Sequence, residues 1–213
     1  MVLAGSCADS GFAQGHTYSV TASTGIFLPG SRLVDEAAVF NPRTAADELI
    51  VLRQSVGPTL GLRGARALSP SLAIEAAVLF AFSDVELTSV TFTDAPEITL
   101  DAHVLVFGVD LRYEVFRAPF IPLSVHVVGG ASLVTRGGEF FDRGSGALTD
   151  LEGGTDIAAS VGGGLRYGLD PRITLRVDVQ DHIYSYAQSL NGSDLDARLQ
   201  NDVWLIMGLE MGL

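Results

Sequence analysis

Residues 161–184 read VGGGLRYGLDPRITLRVDVQDHIY. Two alternating segments flank the turn signal Asp170-Pro171-Arg172, where proline sets the backbone for a tight reversal. After the turn, Ile173, Leu175, Val177 and Val179 share one face, and Thr174, Arg176, Asp178 and Gln180 share the other. Such a period of two is the signature of a half-exposed strand. One face is wholly aliphatic, while the other mixes small, polar and charged residues.

Working outward from this hairpin, eight alternating segments span residues 18–28, 50–68, 72–83, 100–116, 122–140, 157–169, 173–186 and 203–213. Three connections are tight turns, around Ser69-Pro70-Ser71, Arg117-Ala118-Pro119-Phe120 and Asp170-Pro171-Arg172. The other four are long, covering residues 29–48, 84–98, 141–156 and 187–202. Short turns on one rim and long loops on the other describe a transmembrane barrel. A tilted spanning strand needs about 9–11 residues, and most of these segments are that long. The expected fold is therefore all-β: an eight-stranded antiparallel up-and-down transmembrane barrel over residues 15–213.

Composition bounds the alternatives. The 213 residues hold 47% hydrophobic and 18% charged residues, against about 25% charged in an average soluble domain. No run approaches the roughly 20 apolar residues of a membrane helix. A membrane-spanning form must then be a closed barrel, because lipid offers no partner to a free backbone edge. The formal net charge is −12, and every one of the 13 basic residues is arginine. Phosphate repulsion argues against nucleic acid as a partner. The single cysteine, Cys7, excludes an internal disulfide framework and a four-thiolate zinc site. Residues 1–14 are expected to be a leader or signal-peptide remnant, with Cys7 as a possible lipidation position and an incidental cysteine as the alternative.

Alternation cannot say which face is inside. The last segment places Val203, Leu205, Met207, Leu209, Met211 and Leu213 opposite Trp204, Ile206, Gly208, Glu210 and Gly212. Across the segments, the second faces gather Arg63, Glu75, Asp110, Arg112, Glu114, Arg166, Arg176, Asp178 and Glu210 among Gly and Ala. Small residues suit the crowded interior of a narrow barrel, where few large side chains fit. Arginine and carboxylate in near balance can be buried together, because the guanidinium fork binds carboxylate bidentately. These nine residues are the expected lumen network. A soluble, lipocalin-like ligand binder requires the reverse, with charges outside and aliphatic stripes inside.

Aromatic residues also gather near segment ends. Tyr18, Tyr113, Phe116, Phe120 and Tyr167 lie by the short turns; Phe27, Phe82, Phe140, Phe141, Tyr184 and Tyr186 lie by the long loops. Aromatic girdles are expected at both membrane interfaces. The long loops hold fifteen acids against four arginines.

On these residues the chain resembles the small bacterial outer-membrane β-barrel superfamily, the OmpA-, OmpX- and OmpW-like proteins. The resemblance rests on the topology, on YSVTASTGIFLPGS at residues 18–31, on the hairpin quoted above, and on the terminal DVWLIMGLEMGL. It implies a bacterial outer-membrane location, assembly by the barrel-insertion machinery, contact with outer-membrane lipid and lipopolysaccharide, and a monomer. Gly208, Met211 and Leu213 match its C-terminal insertion signal, whereas Ile206 and the non-aromatic Leu213 depart from it.

Catalytic chemistry finds little support. His126 has Ser124 and Ser132 nearby in sequence, without a supporting carboxylate. In VDVQDHIY, Asp178 and His182 share a face but Asp181 lies on the other, so the three do not converge on a metal. Gly162-Gly163-Gly164 lies within a strand with no following helix, so it is no phosphate loop. The expectation is a non-enzymatic barrel that needs no cofactor and no metal, with a charge-filled lumen and an envelope-structural or surface-interaction role through acidic loops. A narrow transport barrel for small solutes is the second reading.

Overall fold

The computed structural model describes residues 17–41, 46–89, 98–142, 154–190 and 193–213. In chain order the strands are β1 (Tyr18–Pro29), β2 (Val34–Asn41), β3 (Ala46–Gln54), β4 (Gly57–Ala67), β5 (Leu72–Ser89), β6 (Ile98–Arg117), β7 (Leu123–Gly137), β8 (Thr155–Gly168), β9 (Ile173–Leu190) and β10 (Ser193–Gly212). One short helix, α1 (Glu139–Asp142), follows β7. The proposed leader at residues 1–14, including Cys7, lies outside the described residues.

The tight turns behave as their chemistry dictates. Asp170 Oδ1 accepts the Arg172 backbone N–H at 2.9 Å, and Ser69 Oγ accepts that of Leu72 at 3.1 Å. From each turn two strands run away antiparallel. The ring runs β5, β4, β1, β10, β9, β8, β7, β6 and closes through β6 pairing with β5. Eight strands therefore form a closed antiparallel barrel with no free edge at its waist. β1 starts and β10 ends at the short-turn rim, where the Leu213 N–H donates to the Tyr18 carbonyl at 2.9 Å.

Side-chain parity sorts the two surfaces. Outside, Leu62 is 56% exposed and Met207 52%, and similar aliphatic residues cover every strand of the ring. Inside, Arg63 is 2% exposed and Arg176 1%. Apolar side chains outside a polar interior is the inversion that lipid demands. The soluble ligand-binding alternative requires the opposite sorting and is overturned.

Three expectations need correction. The segment 50–68 is two strands: β3 leaves the track at Ser55-Val56, pairing with β2 and with Val85–Ser89 of β5, while β4 pairs with Ala73–Ala81 of β5. The connection 29–48 thus holds most of the β2–β3 hairpin. The long connection 187–202 is largely strand as well, since β9 reaches Leu190 and β10 starts at Ser193, and strand enters 84–98 from both ends, since β5 reaches Ser89 and β6 starts at Ile98. Backbone pairing in a hairpin continues past the point where apolar alternation stops. The outer aromatic girdle also fails: Phe27, Phe140, Phe141, Tyr184 and Tyr186 are buried inside, and of that set only Phe82 faces outward. Tyr184 and Tyr186 share the parity of Gln180 and His182, so alternation turns them inward. At the short-turn rim Tyr18, Tyr113, Phe116, Phe120 and Tyr167 are all exposed.

The helix α1 folds back over the lumen. Gly138 has φ +113°, and a Cβ there would lie 2.8 Å from the Ala102 Cα. Only glycine takes that conformation and that approach together. The turn sends Phe140 and Phe141 into the barrel, their rings edge to face at 5.0 Å.

Candidate functional site

The lumen is filled in layers. Nearest the short turns, Arg176 donates to both oxygens of Glu75 at 2.7 and 2.9 Å and through Nε to Asp178 Oδ2 at 2.7 Å. Arg63 reaches the same Asp178 oxygen at 3.1 Å and the Gln180 carbonyl at 2.9 Å. Arg112 bridges Glu75 at 2.7 Å and Glu210 at 3.3 Å. Arg166 grips both oxygens of Glu210 at 2.7 and 3.1 Å. Gln180 Nε2 donates to Asp110 Oδ2 at 2.9 Å, and the Ser160 hydroxyl donates to Asp110 Oδ1. His126 Nε2 meets Asp178 Oδ1 at 2.8 Å.

These contacts form one connected network across the barrel, contributed by β4 to β10. Eight of the nine expected residues lie in it. Glu114 does not. It lies at the mouth near the end of β6, and beyond the bulge between Glu114 and Phe116 Arg117 holds both its oxygens at 2.8 and 2.9 Å. Register explains the gap that admits the His126 ring: a Cβ at Gly164 would overlap the Val177 carbonyl and the Asp178 carboxylate.

Above this network the lumen is largely apolar, apart from a His182–Ser132 pair. Leu79, Val106, Val134, Trp204 and Ile206 are buried there, with the Trp204 ring edge to face against His182 at 6.1 Å. His182 Nδ1 meets the Ser132 hydroxyl at 2.8 Å. Higher again is a second polar layer. Arg136 donates to Gln54 Oε1 at 2.8 Å and Asp202 Oδ2 at 3.0 Å, and the Tyr184 hydroxyl donates to the same Asp202 oxygen at 2.6 Å. The Arg136 guanidinium also sits 5.3 and 5.1 Å from the Tyr184 and Tyr186 ring centres. Phe140, Phe141, Leu33 and Leu52 join the buried apolar cluster at the long-loop end.

Sequence inspection missed the second layer. Arg136 lies within the expected segment 122–140 and shares the parity of His126 and Ser132; Asp202 precedes the segment 203–213 by one residue and shares the parity of Trp204 and Glu210, so extending that face by one residue finds it. Of the insertion-signal residues, Gly208 packs inward against Ala22 and Ser23, while Met211 and Leu213 are exposed on the outer face. Asp178 and His182 point inward to different partners, and no group of three His, Cys, Asp or Glu suited to a metal exists among the described residues. Chemically, the network's carboxylates are occupied as ion-pair and hydrogen-bond acceptors.

Residues 5–206 match the family model described as outer membrane protein beta-barrel domain. Among solved structures, the outer membrane protein OprG from Pseudomonas aeruginosa superposes with a TM-score of 0.61 at 15% identity, covering 94% of this chain and 99% of that one. Neisserial surface protein A gives 0.56 at 11% identity, covering 92% and 97%. The outer membrane protease OmpT from Escherichia coli gives 0.49 at 9% identity, covering 95% and 98%. No curated protein matches the chain by sequence.

Proposed function

This chain belongs to the outer membrane protein beta-barrel domain family, and from that premise we propose that it is a closed, non-enzymatic barrel of the bacterial outer membrane. Its work is then structural or interactive: anchoring in the envelope, and contact with lipopolysaccharide or other surfaces through acidic outer segments. Carboxylates there suit bridging by hard divalent cations.

The observation that carries this proposal is the lower lumen network, in which Arg176 and Glu75 meet across the barrel. A solute following the axis has to break several buried ion pairs at once. Leaving any partner buried and uncompensated costs about 3–5 kcal/mol, which opposes the transport reading.

The test is conductance. Purified barrel reconstituted in planar bilayers is expected to show no unitary steps above the lipid background. Discrete, reproducible channel steps would overturn the closed-barrel proposal and favour transport.

A further inference from the structure

At the short-turn mouth, below the network, a cavity of about 360 Å³ is lined by Arg112, Arg117, Arg166 and Arg172, with Glu114 and Glu210. Four guanidinium groups face two carboxylates there, an excess of two positive charges in a chain of net charge −12. Both carboxylates are already engaged: Glu210 by Arg166 and Arg112, and Glu114 by Nε and Nη2 of Arg117. A guanidinium has five N–H donors. The bonds described for Arg166 use its Nε and Nη2, and those for Arg112 use only Nη1. Both side chains are partly exposed, so donors remain for a ligand from the mouth.

A second cavity of about 170 Å³ adjoins the first and shares Arg117, Arg166 and Thr174 with it. Its remaining wall is the β6–β7 connection, Ala118-Pro119-Phe120-Ile121-Pro122, with Leu123, Ser124 and Gly168. Two prolines remove backbone donors from this wall. The Leu123 N–H is used on the Ile121 carbonyl at 2.7 Å, and the Pro122 carbonyl accepts from Gly168 at 2.8 Å. The side chains of residues 118–123 on this wall are apolar, with the Ser124 hydroxyl beside them, while the shared floor is cationic.

We propose that this mouth binds a small anionic amphiphile, with a carboxylate or phosphate head on the arginines and a short aliphatic tail along the 118–123 connection. The arrangement is independent of the closed lumen: the ligand enters and leaves on the same side. Arginine forks suit both head groups, and the shared edge of the two cavities sets head and tail side by side.

The test uses the whole barrel, isotopically labelled and folded in non-ionic detergent micelles, with NMR shifts of the Arg117, Arg166 and Ile121 signals as readout. Hexanoate is expected to move these signals saturably. Acetate, shorter by four CH₂ groups, is expected to bind about 200-fold more weakly, since each buried CH₂ contributes about 0.8 kcal/mol. Hexanol, lacking the charge, is expected to leave the arginine signals unmoved. Hexyl phosphate carries the same tail, and whichever of it and hexanoate binds tighter identifies the head group; both results uphold the site.

Arg117→Gln with Arg172→Gln lies at the exposed rim and is expected to fold, as checked by heat-modifiable gel mobility, yet to weaken hexanoate binding about tenfold, the loss of one to two charge-assisted bonds. Glu114→Gln, which releases Arg117, is expected to tighten it. Equal shifts from hexanol and hexanoate would show partition of the tail alone and overturn the proposal. So would equal affinity for acetate and hexanoate, or unchanged binding in the double variant.

Discussion

Arg176 on β9 and Glu75 on β5 stand on opposite sides of the eight-strand ring and are joined by two N–H···O bonds of 2.7 and 2.9 Å. Each is almost fully buried, at 1% side-chain exposure. One arginine thus spans the barrel, and the strength of that span is testable.

Replacing Glu75 by Ala leaves Arg176 and Arg112 facing an empty place, and a buried charge without its partner costs about 3–5 kcal/mol. Arg176→Met likewise takes one partner each from Glu75 and Asp178, which keep Arg112 and Arg63. In a double-mutant cycle read by denaturant unfolding in lipid vesicles, the two changes together are expected to cost less than their sum, by a coupling of about 0.5–3 kcal/mol. Additive losses would mean that the span contributes no pairwise stability.

Two glycines offer a contrast of packing. A Cβ at Gly164 overlaps the Val177 carbonyl and the Asp178 carboxylate, whereas at Gly64 nothing lies within 4 Å. Gly164→Ala is expected to destabilise the barrel by about 1–3 kcal/mol, the range for forced overpacking. Gly64→Ala should change stability by less than about 0.5 kcal/mol, as for ordinary surface sites. The same unfolding measurement compares them, and equal effects would contradict the pairing of Gly164 on β8 with Asp178 on β9.

The lipid face gives a third test. Val109 is 55% exposed on β6, with Phe107 and Leu111 beside it on the same face. Val109→Arg puts a charge into the apolar belt, at an expected cost of about 2–4 kcal/mol near the bilayer midplane. Val115→Arg, nearer the short-turn rim, should cost about 0–1 kcal/mol, because the penalty falls toward the interface. A flat profile along β6 would place the membrane elsewhere.

Much of this was legible from parity. Once Gly162, Gly164 and Gly208 are read as crowded interior, Arg166 on β8 and Glu210 on β10 follow inward, because a strand cannot turn one residue without turning the rest. Position along the strand was the weaker guide. It assigned Tyr184 and Tyr186 to an outer girdle, although their parity sends them into the lumen beside Arg136. Other features have no period to read. The break at Ser55-Val56 depends on how β3 pairs with β5, and the inward fold of α1 depends on the positive φ of Gly138. Pairing of Arg176 with Glu75 rather than with another acid depends on the stagger around the closed ring, which no single segment carries.

The single tryptophan can report which end of the lumen opens first. Trp204 is fully buried, 5.2 Å from the Phe27 ring, between the two polar layers. Its emission is expected to be blue-shifted and protected from iodide on both sides of a sealed vesicle. Phe140 and Phe141 cap the long-loop end, so replacing both by Ser removes apolar cover and places hydroxyls in the outer cluster. Quenching is then expected only when iodide is added on the long-loop side, because the Arg176–Glu75 layer still closes the other end. Glu75→Ala with Arg176→Ala should produce the opposite asymmetry, with access from the short-turn side. If the Phe variant admits iodide equally from both sides, the two layers do not act as separate seals. The lower network then fails as a barrier, and the closed-lumen proposal loses the observation that carries it.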